Sequence, residues 1–425
     1  MKFDHLRKSD YQLFCLIQKE IKRQKETIDL IASENFAPME ILEVMGSPLT
    51  NKYSEGYPGK RYYPGNIYYD EIERLAQERA LKAFGLKEKE WAVNVQPYSG
   101  SPANFAVYNA LLKPNDVLMG MNLTGGGHLT HGHKASITGK IYQSIQYSLD
   151  PKTERIDFKK VEKLAKKHKP KIIVSGLTSY SRTIDFKKFS IIAKKVGAFH
   201  MADIAHFAGL VASNLHPSPF PYADIVTSTV HKTLRGPRAG IIFVKRNSAA
   251  AKKQKIDLAE AIDRSVFPQL QGGPHNNIIA AIALTFKLAK GKDFKNYQRQ
   301  IIKNSQALAK ELKNRGFRLV AGGTDNHLMV IDLRKTGISG MEAEKILEKA
   351  GIVANRNVVC GDISPFKPSG LRLGTPAVTT RGMKEVQMKQ IADFIFRLLF
   401  KKEKPNIIKR EAAALCRKFP IYQNI

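Results

Sequence analysis

The chain has 425 residues, 43% of them hydrophobic and 25% charged, which is ordinary globular composition with length enough for two domains and substantial cores. Three widely spaced cysteines, Cys15, Cys360 and Cys416, fit neither a disulfide framework nor a zinc site and suit a reducing cytoplasm. The net charge of +31 invites a nucleic-acid partner, but the lysines are scattered and no RNP motif, zinc finger or basic region occurs, so no specific nucleic-acid binding is expected.

The opening "MKFDHLRKSDYQLF" holds no apolar stretch of signal-peptide length, and residues 1–30 read as a helical arm. From about residue 90, strands and helices alternate. "EWAVNVQ" reads as a strand and "SPANFAVYNALL" as a helix with Ala103, Ala106, Val107, Ala110 and Leu111 on one face. "FKKVEKLAKKHKPK" is amphipathic, its lysines forming the wet face. "KIIVSGL" is a strand, and "FKKFSIIAKKVG" a helix closed by Gly197. "AFHMADIA", "ADIVTST" and "AGIIFVK" follow as strands. This pattern predicts an α/β domain over 31–278 with a mostly parallel mixed sheet flanked by helices, whose ligands bind beyond the carboxyl ends of the strands. From about 276 the pattern shifts to long helices, the strand "HLMVIDL", a helix over 341–350 and a closing helix from 380, which reads as a smaller α+β domain over 279–425. The longest apolar run, "IIAAIALTF", is far too short to span a bilayer, and no membrane association is expected.

Polar clusters fall at several predicted strand ends. In "PYSGSPAN", Ser99 and Gly100 lie between a strand and a helix, where backbone N–H groups and a hydroxyl suit a phosphate; the plain alternative is a serine N-cap. There is no Walker lysine motif and no GxGxxG after a strand, which disfavours a nucleotide. In "MADIAHFAGL", Asp203 ends an apolar run and needs a partner, either His206 or a ligand's protonated ring nitrogen. "STVHKTLRGP" delivers His231 and Lys232 at a strand tip, where a lysine either reaches solvent or is held for chemistry. Together, a phosphate cup, a buried aspartate and a strand-end lysine suit pyridoxal 5′-phosphate. "LTGGGHLTHGHKAS" offers His128, His131 and His133 without a carboxylate or cysteine at metal-site spacing; a histidine there suits stacking on a flat ring. "NKYSEGYPGKRYYPG" puts Tyr53, Glu55 and Tyr63 in a glycine- and proline-rich loop, where Glu55 is either a general acid or base or part of a solvated turn. Arg372 in "SGLRLGTPA" suits a carboxylate, from a substrate or from the protein.

These stretches, with "IASENF", "QGGPH" and "GGTDNHL", resemble the serine hydroxymethyltransferase family from near residue 28 to 382. The resemblance implies an aspartate-aminotransferase-like fold. It also implies reversible transfer of the hydroxymethyl carbon of L-serine to tetrahydrofolate, giving glycine and 5,10-methylenetetrahydrofolate through a pyridoxal-phosphate aldimine. Lys232 would carry that aldimine, Asp203 would pair with the pyridine nitrogen, His128 would stack on the ring and His206 would contact the cofactor's oxygen. Ser99 and Gly100 would hold the phosphate together with Gly273 of a second subunit, with Thr178 and His231 shaping the same pocket. Arg372 and Ser33 would bind the substrate carboxylate. Tyr53, Glu55 and Tyr63 would come from the neighbouring chain, Glu55 moving a proton at the hydroxymethyl group. Leu123, Gly127, His128, Leu129, Asn357, Ser364, Pro365 and Phe366 would contact the folate. A cytoplasmic homodimer with shared sites is implied, with a tetramer also open. The competing reading is a folate-independent pyridoxal-phosphate aldolase of threonine-aldolase type.

Overall fold

The computed structural model describes residues 3–362 and 367–422, so Ser364, Pro365 and Phe366 lie outside the described residues. The chain folds as two units, residues 40–299 and residues 1–39 with 300–425.

The larger unit is built on a seven-stranded sheet. Its strands are β1 (Trp91–Asn94), β2 (Val117–Met121), β3 (Gln143–Tyr147), β4 (Ile172–Gly176), β5 (Phe199–Asp203), β6 (Ile225–Thr229) and β7 (Gly240–Lys245), in the spatial order β1-β7-β6-β5-β4-β2-β3. β2 through β6 pair in parallel, and β7 runs antiparallel to both its neighbours. The α/β architecture with a mostly parallel mixed sheet is therefore as the alternating pattern predicts. Every residue of β4, β5 and β6 is buried, polar Ser175, His200, Asp203, Thr227, Ser228 and Thr229 included. Two strands, β2 and β3, were not legible as such. β2 contains Gly120, where a Cβ would meet the backbone and Cβ of His131, and β3 is a partly exposed edge strand with polar residues. Gly197 closes the helix Phe186–Val196 in the left-handed conformation, φ 72°, as its position predicts. In the helix Phe158–His168, Val161 and Ala165 are buried while five lysines face solvent.

Three helices position the site. α1 (Ile67–Ala83) and α3 (Asn276–Ala289) pack along each other, and α2 (Gly100–Leu111) covers β6 and β7. Because α3 is tied to α1, with Arg79 donating to the Ala283 carbonyl at 3.2 Å, it belongs with the larger unit, and the contact boundary falls at 299/300.

The smaller unit holds a four-stranded antiparallel sheet of β8 (Arg318–Leu319), β9 (Leu328–Asp332), β10 (Asn355–Asn357) and β11 (Gly370–Gly374), in the order β8-β9-β11-β10. The N-terminal segment is part of it. Residues 28–29 pair in parallel with 352–353, and Ile28 and Leu30 are fully buried in this unit's core. Gly374 donates to the Leu30 carbonyl at 2.7 Å, and a Cβ on Gly374 would strike the Ala32 backbone.

Candidate active site

The carboxyl ends of β1, β2, β4, β5 and β6 gather most of the predicted residues of the larger unit. Asp203, the last residue of β5, lies level with Gly176 on β4 and Thr227 on β6. Its Oδ2 accepts from His131 Nε2 at 3.0 Å and from Asn104 Nδ2 at 2.9 Å, and its Oδ1 accepts from the Ala205 amide at 3.0 Å. His131 Nδ1 accepts from the His128 amide at 3.2 Å, which leaves the ring proton on Nε2, facing Asp203. Glycine at 176 makes room: a Cβ there would come within 2.8 Å of Asp203 Cβ and 3.2 Å of the His131 ring. The partner sought at His206 is thus supplied by His131, 72 residues away. Burial pushes the Asp203 pKa up, but the hydrogen bonds from His131 and Asn104 outweigh it. The carboxyl is held well below the usual carboxylate range and stays ionised.

The network continues to His128. Asn104 donates to Thr130 Oγ1 at 2.8 Å, Thr130 Oγ1 lies 2.7 Å from His128 Nδ1, and Thr227 Oγ1 donates to Asn104 Oδ1 at 2.7 Å. The loop before His128 is fixed from below by Thr178, whose amide donates to the Gly126 carbonyl at 2.7 Å and whose hydroxyl lies 3.0 Å from the Gly127 carbonyl. A Cβ on Gly127 would run into the Met121 carbonyl, so the loop folds back on β2 only with glycine there. Leu123 starts a turn in the same loop, and Leu129 is exposed beside His128.

Lys232 follows the end of β6. Its neighbour Thr233 donates to the His206 carbonyl at 3.2 Å and accepts from the Gly209 amide at 3.0 Å, which fastens the lysine segment to the turn after Asp203. The Thr229 hydroxyl donates to the Ala205 carbonyl at 3.3 Å across the same junction. Burial, with the charges of Lys232 and Arg238, pulls the His231 ring down to about 3, and its buried Nδ1 has no hydrogen-bond partner among the described residues. Ser99 stands at the N-cap of α2, but its side chain makes no capping hydrogen bond. Gly100 and Gly240 leave the cup open and closely packed: a Cβ on Gly100 would come within 2.7 Å of Thr229, and one on Gly240 would strike the Ser99 carbonyl.

A second group in the same unit joins Tyr53, Glu55, Tyr63 and Gly273. The Tyr53 and Tyr63 rings meet edge-on at 5.3 Å. A Cβ on Gly273 would lie 3.2 Å from the Tyr53 ring, and one on Gly272 would lie 3.1 Å from Glu55 Oε1. Tyr98, beside Ser99, reaches this group by donating to the Gly273 carbonyl at 2.7 Å and stacks on His275 with ring centroids 4.2 Å apart.

The third group lies in the smaller unit. Arg372 sits on β11 between Val330 and Asn355, and its Nε donates to Asn355 Oδ1 at 3.1 Å. Burial lowers its guanidinium to about 10, against the opposing pull of Glu34. Ser33 belongs to this unit too, in the segment that Gly374 holds against the end of β11. Asn357 ends β10, its amide donating to the Val358 carbonyl at 2.6 Å.

The sequence profile of the serine hydroxymethyltransferase family matches residues 6–395. The chain belongs to the serine hydroxymethyltransferase family. A Bombyx mori protein described as "Serine hydroxymethyltransferase" is 52% identical over 404 residues, covering 93% of this chain and 87% of that protein. His131, Asn104, Thr130 and Tyr98 join the network around Asp203 and Ser99 without any local sequence signal of the kind that marks Lys232. His131 is one of three loop histidines that the sequence offers to a metal or to a flat ring, and the structure pairs it with Asp203 instead. Asn104 carried a signal: a polar side chain on the apolar face of α2 needs a buried partner.

Proposed function

We propose that this chain transfers the hydroxymethyl carbon of L-serine to tetrahydrofolate, giving glycine and 5,10-methylenetetrahydrofolate, with pyridoxal 5′-phosphate held at the carboxyl edge of the large sheet. The observation that carries the reading is the buried Asp203 carboxylate, kept ionised by His131 and Asn104 and placed one strand from the segment that bears Lys232. An anion in that position suits a protonated pyridine nitrogen. The orphaned Nδ1 of His231 and the Ser99 hydroxyl, which caps nothing, also suit a bound polar group.

When bound, the cofactor supplies an electron sink for the carbon left as the Cα–Cβ bond of serine breaks. Lys232 would be the amine that binds its aldehyde. Ser99 and Gly100 hold the phosphate at the N-terminus of α2, with Gly273 contributed by a second subunit. Asp203 would hold a protonated ring nitrogen, and His128 would lie beside the ring. His206, Thr178 and His231 shape the pocket. Arg372, with Ser33, clamps the amino-acid carboxylate throughout the reaction. Glu55, with Tyr53 and Tyr63 beside it, takes and returns the proton of the hydroxymethyl oxygen. Leu123, Gly127 and Leu129, and separately Asn357, would contact the folate. A cytoplasmic location and a homodimer with sites shared between chains accompany this reading, and the exposed aromatic group of Tyr53, Tyr62, Tyr63 and Tyr68 suits the homodimer's surface. No described helix is long and apolar enough to cross a membrane.

The deciding measurement is serine cleavage with and without tetrahydrofolate. Strong acceleration by the folate is expected. Equal rates would replace the transferase with a folate-independent aldolase.

A further inference from the structure

Glu55 is flanked by two carbonyls that a single guanidinium holds. Arg61 Nη1 donates to the Ser54 carbonyl and to the Gly56 carbonyl, each at 2.8 Å, straddling Glu55. The same group donates through Nε to Asp70 Oδ1 at 2.8 Å and through Nη2 to Glu73 Oε2 at 2.7 Å. Four of its five N–H directions are thereby committed. The Arg61 side chain is 4% exposed and that of Glu73 1%. Gln96 adds a second brace, its Nε2 donating to the Gly56 carbonyl at 3.0 Å and to Glu73 Oε1 at 2.8 Å.

The local fold explains how Arg61 gets there. Residues 56–57 pair with 60–61 in a tight hairpin that sets Gly56 opposite Arg61. Gly56 adopts φ 93°, and a Cβ on it would strike the Lys60 carbonyl, so the turn requires glycine. A guanidinium returning under the hairpin then meets the carbonyls on both sides of Glu55. Asp70 and Glu73, one turn apart on α1, anchor it to the body of the unit. A buried ion network of this kind stabilises weakly compared with apolar packing, but it fixes geometry.

We propose that Arg61 is a positioning residue for Glu55. It touches no substrate; it fixes the backbone from which the Glu55 carboxylate is aimed. The inference rests on the reading of Glu55 as the proton carrier. Lysine in this place keeps a positive charge for Asp70 and Glu73 but cannot span two carbonyls and two carboxylates.

The test is a double-mutant cycle on the holoenzyme with R61K, E55Q and the pair, reading kcat and KM for folate-dependent serine cleavage. R61K is expected to lower kcat by about 10–100-fold, with the KM for serine nearly unchanged and the cofactor absorbance intact. In the E55Q background R61K is expected to cost almost nothing further, because the residue it aims is already disabled. Equal losses in both backgrounds, or an R61K enzyme at full rate, would overturn the positioning role while leaving the Glu55 assignment standing. An E55Q enzyme at full rate would overturn the Glu55 assignment itself, and the inference with it. If R61K does not fold, Q96A removes one brace on Gly56 and one hydrogen bond to Glu73 Oε1 while keeping all four Arg61 hydrogen bonds. Its cycle with E55Q is read in the same way.

Discussion

His131 donates its ring proton to Asp203 at 3.0 Å, both side chains being buried. This contact makes Asp203 an anion rather than a neutral acid in a dry site. Replacing His131 with alanine leaves the carboxylate to Asn104 and the Ala205 amide, and its pKa rises toward protonation. We expect the Kd for pyridoxal phosphate to increase by about 10–100-fold, in line with ~1.5–3 kcal/mol for a hydrogen bond to a charged group. Fluorescence titration of the apoenzyme measures this. Unchanged affinity would mean that Asp203 does not face the ring nitrogen.

Lys232→Ala should keep the fold, because Thr233 and Gly236 also hold the segment: Thr233 bonds the His206 carbonyl and the Gly209 amide, and Gly236 donates to the Val230 carbonyl at 2.7 Å. Turnover is expected to fall by about a thousandfold or more, since covalent attachment is lost. Borohydride should fix the cofactor on the native chain at Lys232 and leave the variant unlabelled, as read by mass spectrometry. Retained serine turnover in the variant would reassign the lysine.

Arg372→Lys tests the carboxylate clamp. Lysine keeps a charge but loses the planar two-point geometry, so the KM for serine should rise by about 10-fold or more while cofactor binding is unaffected. If serine KM stays constant and the protein loses stability instead, the arginine serves β11 through Asn355 and not the substrate.

Asp263 offers a stability test away from the chemistry. Asn94 Nδ2 donates to its carboxylate at 2.7 Å and lies 3.0 Å from the Tyr57 hydroxyl, which in turn donates to the Asp263 carbonyl at 2.6 Å. Burial, aided by the charge of Glu73 and opposed by the Asn94 hydrogen bond, lifts its pKa from 3.8 to about 6. The native state therefore binds a proton more tightly than the unfolded chain does. Stability from this group is greatest below about pH 4 and declines as pH rises through about 6. Asp263→Asn removes that cost, so the variant should exceed wild type at pH 8 by ~1–2 kcal/mol, discounted for partial solvent access. The gap should narrow as pH falls below about 6 and close only below about pH 4. Urea midpoints across this range measure it, and a constant or inverted gap would contradict the buried-acid account.

The parts of the fold that could be read from the chain were those with strong local signals. β4, β5 and β6 are buried throughout and sit in apolar or β-branched stretches such as Ile172–Val174 and Ile225–Thr227, and the helix ending at Gly197 carries its own stop. β2 and β3 were hidden because a close approach by His131 demands Gly120 in one, and partial exposure dilutes the other. The site divides in the same way. Lys232, Asp203 and Ser99 are marked by their place at element ends, which local pattern reveals. His131 and Asn104 owe their roles to neighbours 72 and 99 residues away, and no local pattern encodes such distances. Arg61 was in view as part of the tyrosine-rich loop, but its contacts with Glu73 and the two carbonyls required coordinates.

The pairing of Ile28 with Ile352 sets an order on biosynthesis. At ~5–20 residues per second, the N-terminal strip leaves the ribosome roughly 15–65 s before its partner strand. Residues 40–299 can close around their own core in that interval, while Ile28 and Leu30, fully buried at the end, remain uncovered apolar chain. Nascent chains stalled beyond residue 300 should therefore present this short stretch to chaperones, and its release from them would report completion of the smaller unit.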